Sequence, residues 1–548
     1  MSNTTTPASM TGTWQDLNMD CEDNWSFQGG DWQCNDNGFI TSPAGVADEN
    51  LAVYNAQSFG DFEIEFDFRW NVFCSGGGLI FRGKDASHYY LIDFPCTGQQ
   101  YRAEYFWAAI CKIDERGWTE VLRTETVSGT PSEIGWVHKI HLVVQGNVIR
   151  LFVNGRPFSI VTDDTYAGPG HVGLYAYDGL GNSACCSFRN VRIRGQMSQP
   201  CWDNNVKPVQ NWYYPTTEET YGPVQHLHSF TRTPGHDLLM KLGVCDEFHG
   251  EGHHVILTRS SDNGRTWSPM EKLPDHLGEG GLITHAGNLY QLRMKAEPPF
   301  EIGRCESTDD GHTWSNWEAC GNVVFPPDVD QVIGNQLIQL KDGTLVWFMY
   351  RRTSQPVDDR QNVKNGITHW SYCIRSTDGG RSWSEPIDLD GPRPEGFEKF
   401  LMIAKNFGSE TCAAETRDGK LVSFIRPFFE PVMWETWSSD GGQTWTPIHR
   451  GPFGNWACTT TMLTTASGVI FLAGRHPGLA AQISYDDGMT WTCYRFDTTF
   501  WANGFAIEIQ PDVVMFGSTA KYGDPRVRVH LFRMTPDGPV PQRVEDLK

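Results

Sequence analysis

No apolar run in the 548 residues approaches the roughly 18 that a membrane-spanning helix requires. The opening residues, MSNTTTPASMTG, have neither a basic region nor an apolar stretch, so they do not read as a secretory signal. A cytoplasmic location is therefore expected, or a secreted one if a leader has been trimmed. Basic charge is scarce: 44 Lys and Arg stand against 66 Asp and Glu, a net charge of −22. That balance excludes a broad basic surface for nucleic acid, and neither nucleic acid nor membrane is expected as a partner. The 15 cysteines include no C-x-x-C pair and no zinc-finger spacing with histidine. They read as mostly buried thiols in a reducing compartment, with bridges among Cys21, Cys34, Cys74, Cys96 and Cys111 as the alternative. Adjacent Cys185 and Cys186 are expected on opposite faces of a strand.

Long helical patterns are also missing. The first ~195 residues alternate apolar and polar side chains with period two, as in Asp61–Phe68, His138–Val144 and Val148–Val153. Asn154-Gly155 supplies a hairpin turn. Many short strands with Gly-rich turns predict a β-sandwich over residues 1–197. The stretch from Trp136 through NGRPFSIVTDD, GHVGLYAYDG and FRNVRIRG resembles the end of a concanavalin-like or laminin-G-like jelly roll. Such a domain either binds sugar or serves as a packing spacer. Residues 198–210 read as a linker, and a second domain is expected over 211–548.

That second part carries five copies of S-x-D-x-G-x-[T/S]-W, at Ser260–Trp267, Ser307–Trp314, Ser376–Trp383, Ser438–Trp445 and Ser484–Trp491. Their aspartates lie 47, 69, 62 and 46 residues apart. Periods near 40–50 residues with insertions fit four-stranded propeller blades. Asp and Gly build the turn and Trp fills space between strands, so these aspartates are structural. Five such copies, with the strands Phe505–Ile509 and Val527–Phe532 as a sixth blade, make the chain an all-β protein: a jelly-roll sandwich followed by a six-bladed propeller.

Three hairpin turns end in glycine: Lys341-Asp342-Gly343, Arg417-Asp418-Gly419 and Ala466-Ser467-Gly468. If each is a three-residue loop with a left-handed glycine, pairing can be counted back from the turn. Thr416 then faces Lys420, and Glu410 faces Arg426 at the open end of the hairpin. The same count puts Arg475 opposite Thr459. A structural ion pair is the plain reading of Glu410 and Arg426. A second arginine at the equivalent place in the next blade favours a carboxylate-binding site, because guanidinium groups grip carboxylates bidentately.

The repeats are the Asp-box pattern, and this two-thirds of the chain resembles the sialidase superfamily. Gly408-Ser409-Glu410-Thr411 with Phe424-Ile425-Arg426 looks like the segment holding the site glutamate and second arginine, and Gly474-Arg475 like that holding the third. The resemblance implies arginines that clamp an acidic sugar and a glutamate that activates a tyrosine nucleophile. His226 stands where the first arginine is expected, and Asn503 near the tyrosine position, so an orthodox sialidase reaction is not expected. His226 and His228 share a strand face by period two. Asp246, Glu247 and Glu251 lie in the loop where the family places its acid, and Asp328 and Asp330 enter the third blade at a similar end. Trp501, Phe428 and Phe429 offer aromatic faces for sugar stacking.

The expectation is an exo-acting glycoside hydrolase on a terminal acidic sugar of a glycan or oligosaccharide. Glu410, His226, Glu251 and Asp246 are its candidate catalytic residues; Arg426, Arg475, His228, Asn503, Trp501 and Asp330 would bind substrate. No cofactor is expected. Histidines 226, 228, 249, 253 and 254 lack a rigid metal-ligand spacing, so a divalent metal is the weaker alternative. A uronate lyase with His226 or a tyrosine as base, and a non-catalytic glycan binder, are the rival readings.

Overall fold

The computed structural model describes residues 10, 12–17, 22–29, 32–34, 40–42, 49–72, 75–96, 105–127, 134–178, 185–207, 212–215, 224–244, 254–274, 277–278, 280–325, 329–353, 368–389, 410–426, 432–454, 458–475, 479–497, 504–519 and 526–547. Two compact units divide the chain, residues 1–210 and, apart from 498–500, residues 211–548.

The first unit is a sandwich of two antiparallel sheets. One is centred on the long strands Ser58–Trp70 and Cys186–Ser198, the other on Ser75–Asp85 and His88–Cys96. Phe62, Ile64, Phe66 and Phe68 alternate inward from the first sheet and meet Leu79, Tyr90, Ile92 and Phe94 of the second in one core. Asn154 and Gly155 have φ of 52° and 75°, so the Val153–Arg156 hairpin closes with the left-handed pair that this turn demands. The polar positions of Ser58–Trp70 are less exposed than alternation predicts, because arginines cover them from the neighbouring strand. Arg194 pairs with Glu63 at 2.9 Å, Arg192 with Glu65 at 2.6 Å and Arg189 with Asp67 at 3.2 Å, each in direct cross-strand register.

Cys185 and Cys186 depart from the expectation. Their sulfurs lie 3.9 Å apart in the same core, because the strand begins only at Cys186 and alternation does not govern the residue before it.

The second unit is a six-bladed propeller. Blade 1 is built from Val224–Arg232, Leu238–Val244, His254–Ser260 and Glu271–Lys272. Blade 2 is Gly281–His285, Asn288–Met294, Glu301–Ser307 and Glu318–Asn322, and blade 3 is Gln331–Gln339, Leu345–Thr353, Thr368–Ser376 and Ile387–Asp388. Blade 4 is Thr411–Glu415, Leu421–Ile425, Val432–Ser438 and His449–Gly454. Blade 5 is Cys458–Thr464, Ile470–Arg475, Leu479–Ser484 and Thr492–Asp497. Blade 6 runs Gly504–Gln510, Val513–Thr519 and Val527–Thr535, whose outer edge is shared by Trp212–Tyr213 from the start of the unit and Gly538–Pro541 from its end. The ring therefore closes by pairing the two ends of the propeller segment. Apolar residues collect at each of the six blade junctions, for example Val346 and Phe348 of blade 3 against Ala413 and Leu421 of blade 4.

The repeated turn has one construction in all five copies. Ser260 donates to Asp262 at 2.8 Å and accepts from the Gly264 N–H at 2.8 Å. Asp262 in turn accepts from the backbone and hydroxyl of Thr266 at 2.9 and 2.6 Å. The glycine and the residue before it are both left-handed, Asn263 and Gly264 at 59° and 89° in the first copy. This explains why the fourth position reads Asn, Asp, Gly, Gly and Asp: other side chains resist that conformation. These aspartates are consumed by the turn, which confirms them as structural.

Candidate functional site

The first strands of all six blades surround the propeller axis and enclose a cavity of about 920 Å³. One end of this cavity is formed where first strands begin and second strands end. Glu410 and Arg426 stand there. The blade 4 turn has Thr416 N–H bonded to the Lys420 carbonyl at 2.8 Å and Gly419 left-handed at 82°. Pairing from this turn runs in unbroken register to Thr411 opposite Ile425, and one step further Arg426 N–H donates to the Glu410 carbonyl at 2.9 Å. The side chains then meet, Arg426 Nη1 to Glu410 Oε2 at 2.6 Å. Glu410 lines the cavity, while the Arg426 side chain is 8 % exposed and lies behind it.

Blade 5 corrects the count. Its turn repeats the geometry, but the register slips between Thr459 and Thr461, so Arg475 pairs with Cys458 instead of Thr459. A bulge inserts one residue into the first strand and shifts everything beyond it by one position. Arg475 still ends the second strand of its blade, at the same end as Arg426.

A second bulge corrects the face assigned to the histidines. The register of Val224–Arg232 breaks between Leu227 and Ser229, and again before His226. His228 therefore sits outside the pairing, and period two does not relate it to His226. His228 is half-buried and lines the cavity. Asp330 is exposed just before the blade 3 inner strand, and the cavity wall begins at the next residue, Gln331. Asp246, Glu247, Glu251, Asp328, Phe428, Phe429, Trp501 and Asn503 lie outside the described residues, as do the side chains of His226 and Arg475. Among the described residues no group of three or more His, Cys, Asp or Glu is arranged to hold a metal ion.

Sequence reasoning missed two cavity residues. Tyr350 of blade 3 follows its turn glycine, Gly343, by seven positions, as Arg426 follows Gly419; the same count would have found it. Arg293, exposed near the end of the second strand of blade 2, has no ion-pair partner among the described residues. The cavity wall thus combines a carboxylate backed by a buried guanidinium, an imidazole, a phenol and an exposed guanidinium. Such a set can hold an anionic, hydroxylated ligand and exchange protons with it.

Residues 13–194 match the 3-keto-alpha-glucoside-1,2-lyase-like domain, and residues 288–498 match the BNR repeat-like domain. A sialidase of Paraclostridium sordellii is 23% identical over 250 residues, covering 42% of this chain and 60% of that protein. A sialidase of Bacteroides fragilis (strain YCH46) is 26% identical over 240 residues, covering 39% of this chain and 42% of that protein. The matches thus span less than two thirds of these curated relatives. Among solved structures, the Hadza microbial sialidase Hz136 aligns over 90% of this chain and 94% of its own, at 14% identity and a TM-score of 0.43. Trypanosoma rangeli sialidase aligns over 56% of this chain and 55% of its own, at 14% identity and a TM-score of 0.38. The chain is thus similar to sialidases at low identity, with the lyase-like match falling on its β-sandwich and the BNR repeat-like match on its propeller.

Proposed function

We propose that the propeller is a glycan-active enzyme, an exo-acting glycoside hydrolase that removes a terminal acidic sugar. The observation that supports this most is the Glu410–Arg426 pair at the wall of the axial cavity. Glu410 serves as nucleophile, base or activator of another group, and Arg426 holds its carboxylate aimed. Arg475 and Arg293 are the cations for the acidic group of the substrate, in a chain whose net charge of −22 would otherwise repel it. With His226 and Asn503 where arginine and tyrosine are expected, turnover of ordinary sialosides is expected to be poor. No cofactor enters the proposal.

The test is a screen of glycans with terminal acidic sugars, product analysis by mass spectrometry, and the variant Glu410→Gln. Release of a monosaccharide that stops in the variant supports the reading; binding without turnover on every glycan replaces it with a lectin. A second reading, elimination, is favoured by the match of residues 13–194 to a domain described as lyase-like. An unsaturated product with new ultraviolet absorbance would decide for elimination, and incorporation of labelled water oxygen into the sugar for hydrolysis.

A further inference from the structure

The inner strand of blade 3 is irregular where it faces the axis. Gly334 pairs with Met349 and Leu337 with Trp347, so Asn335 and Gln336 together oppose the single residue Phe348. This is a bulge, with one residue more than the partner strand can match. The innermost strand of any blade turns an unpaired edge to the axis, and its buried N–H and C=O groups need partners. The bulge supplies them to its neighbours. Gln336, 5 % exposed, accepts from the Ala413 N–H at 2.9 Å and donates its Nε2 to the Met462 carbonyl at 2.6 Å. Asn335 donates its Nδ2 to the Thr411 carbonyl.

Two adjacent amides thus tie the inner strand of blade 3 to those of blades 4 and 5. Only an amide suits Gln336, because the position must accept from one strand and donate to the other. Ala413 and Met462 both stand mid-strand, so the Gln336 side chain bridges the inner strands at the cavity wall partway along the axis. Along the blade 4 inner strand Glu410 precedes the bridged Ala413, and Glu415 follows it towards the hairpin turn; all three line the cavity. Thr411, which Asn335 holds, immediately follows Glu410.

We propose that Asn335 and Gln336 are positioning residues for the reaction: Asn335 fixes the backbone that carries Glu410, and Gln336 is a crossbar that limits how deep a substrate group descends. This rests on the reading of Glu410 as the reactive carboxylate. A crossbar at that depth admits one chain-terminal residue and blocks threading of a longer glycan.

The experiment compares wild type with Asn335→Ala, Gln336→Glu, Gln336→Leu and Glu410→Gln. Amide hydrogen exchange of the Thr411–Glu415 peptide is read alongside kcat, KM and pH–rate profiles on umbelliferyl glycosides of glucuronic and N-acetylneuraminic acid. The affinities of the two free sugar acids are measured in parallel. Asn335→Ala is expected to lower kcat at least tenfold and displace the pH–rate profile, with KM and sugar-acid affinity within a few-fold of wild type. Gln336→Leu is expected to speed exchange at Ala413 and raise KM. Gln336→Glu retains an acceptor for that N–H, so protection returns, while its charge weakens sugar-acid binding. Wild-type kcat and pH profile in Asn335→Ala, or wild-type affinity and exchange in Gln336→Leu, would overturn the proposal. Full turnover in Glu410→Gln with fast exchange in the amide variants is a different pattern: the site reading fails, and the amides are reduced to a bridge between blades.

Discussion

Glu410 and Arg426 face each other across the open end of a hairpin, Oε2 to Nη1 at 2.6 Å, with the carboxylate on the cavity side and the guanidinium buried behind it. This geometry leaves one carboxylate oxygen committed to the arginine and the other directed by it. Glu410→Gln is expected to keep the shape, lower turnover by two or more orders of magnitude, and leave sugar binding within a few-fold. Arg426→Lys is expected to lower turnover about tenfold with sugar binding within a few-fold, since a point charge orients the Glu410 carboxylate less firmly than a guanidinium. Steady-state kinetics with a parallel melting curve checks both. Should Glu410→Gln turn over normally while melting several degrees lower, the pair is only a structural bridge.

Asp497, 2 % exposed, binds Arg528 at 2.9 Å and lies 3.2 Å from His530 at the junction of blades 5 and 6. Arg528 in turn covers the ring of Trp212 on the closing strand, 4.2 Å from its centroid. Asp497→Asn removes the charge opposite a buried guanidinium and is expected to cost about 3–5 kcal/mol, by analogy with other broken buried pairs. Urea denaturation of the full chain measures it. Replacing both partners, Asp497→Leu with Arg528→Met, should cost less than the single change, and the opposite order would show that the charge is not the source of the loss.

The five turn aspartates are held below the ordinary carboxylate range. Thr313, through its hydroxyl and its backbone N–H, with help from Ser307, takes Asp309 to about 2. Burial works against Asp378, but hydrogen bonds from Ser382 and Ser376 prevail and it too falls to about 2. Asp262, Asp440 and Asp486 are lowered in the same way against the same opposition. A depressed folded value means that the unfolded chain takes up protons first. The contribution is therefore full above the unfolded value of 3.8 and is lost as pH falls towards 2. Melting temperature against pH should drop steeply across that window, and Asp309→Asn should flatten the drop.

Glu435 has the opposite sign. Burial raises its carboxyl above the ordinary value of 4.5, partly offset by the Trp437 indole N–H and by His449. Its folded form holds the proton more tightly, so stability is lost as pH rises through the folded value. Glu435→Gln keeps an acceptor for Trp437 and removes the buried charge. The variant is expected to match wild type in acid and to exceed it by roughly 1 kcal/mol at neutral pH, a common size for such a change. Equal melting temperatures at neutral pH would contradict this.

The propeller was legible because its signal is local: a Ser, an Asp and two left-handed residues recur wherever one blade turns. The pairing of Glu410 with Arg426 was legible for the same reason, since a glycine turn sets the register of everything behind it until a bulge intervenes. Bulges are what the sequence hid. The insertions near Thr460, His228 and Asn335–Gln336 are single residues with no turn signal of their own, and each becomes visible only against its partner strand. Burial of Glu63 and Asp67 was hidden similarly, because the arginines that cover them lie more than a hundred residues away. Trp212–Tyr213 carried no sign that two residues would complete a blade whose other strands begin near residue 504.

That two-residue strand governs when the ring can exist. Trp212 pairs with His530, and Tyr213 with Val529, so strands from opposite ends of the propeller segment must wait for each other during synthesis. Until Val527–Thr535 leaves the ribosome, blade 6 has no third strand and Trp212–Tyr213 has nothing to pair with. The five earlier blades would stand as an open arc with two apolar edges, the state in which the nascent chain is most exposed to aggregation. Closure then forms a loop of more than three hundred residues, which makes its final step one of large sequence separation and slow search.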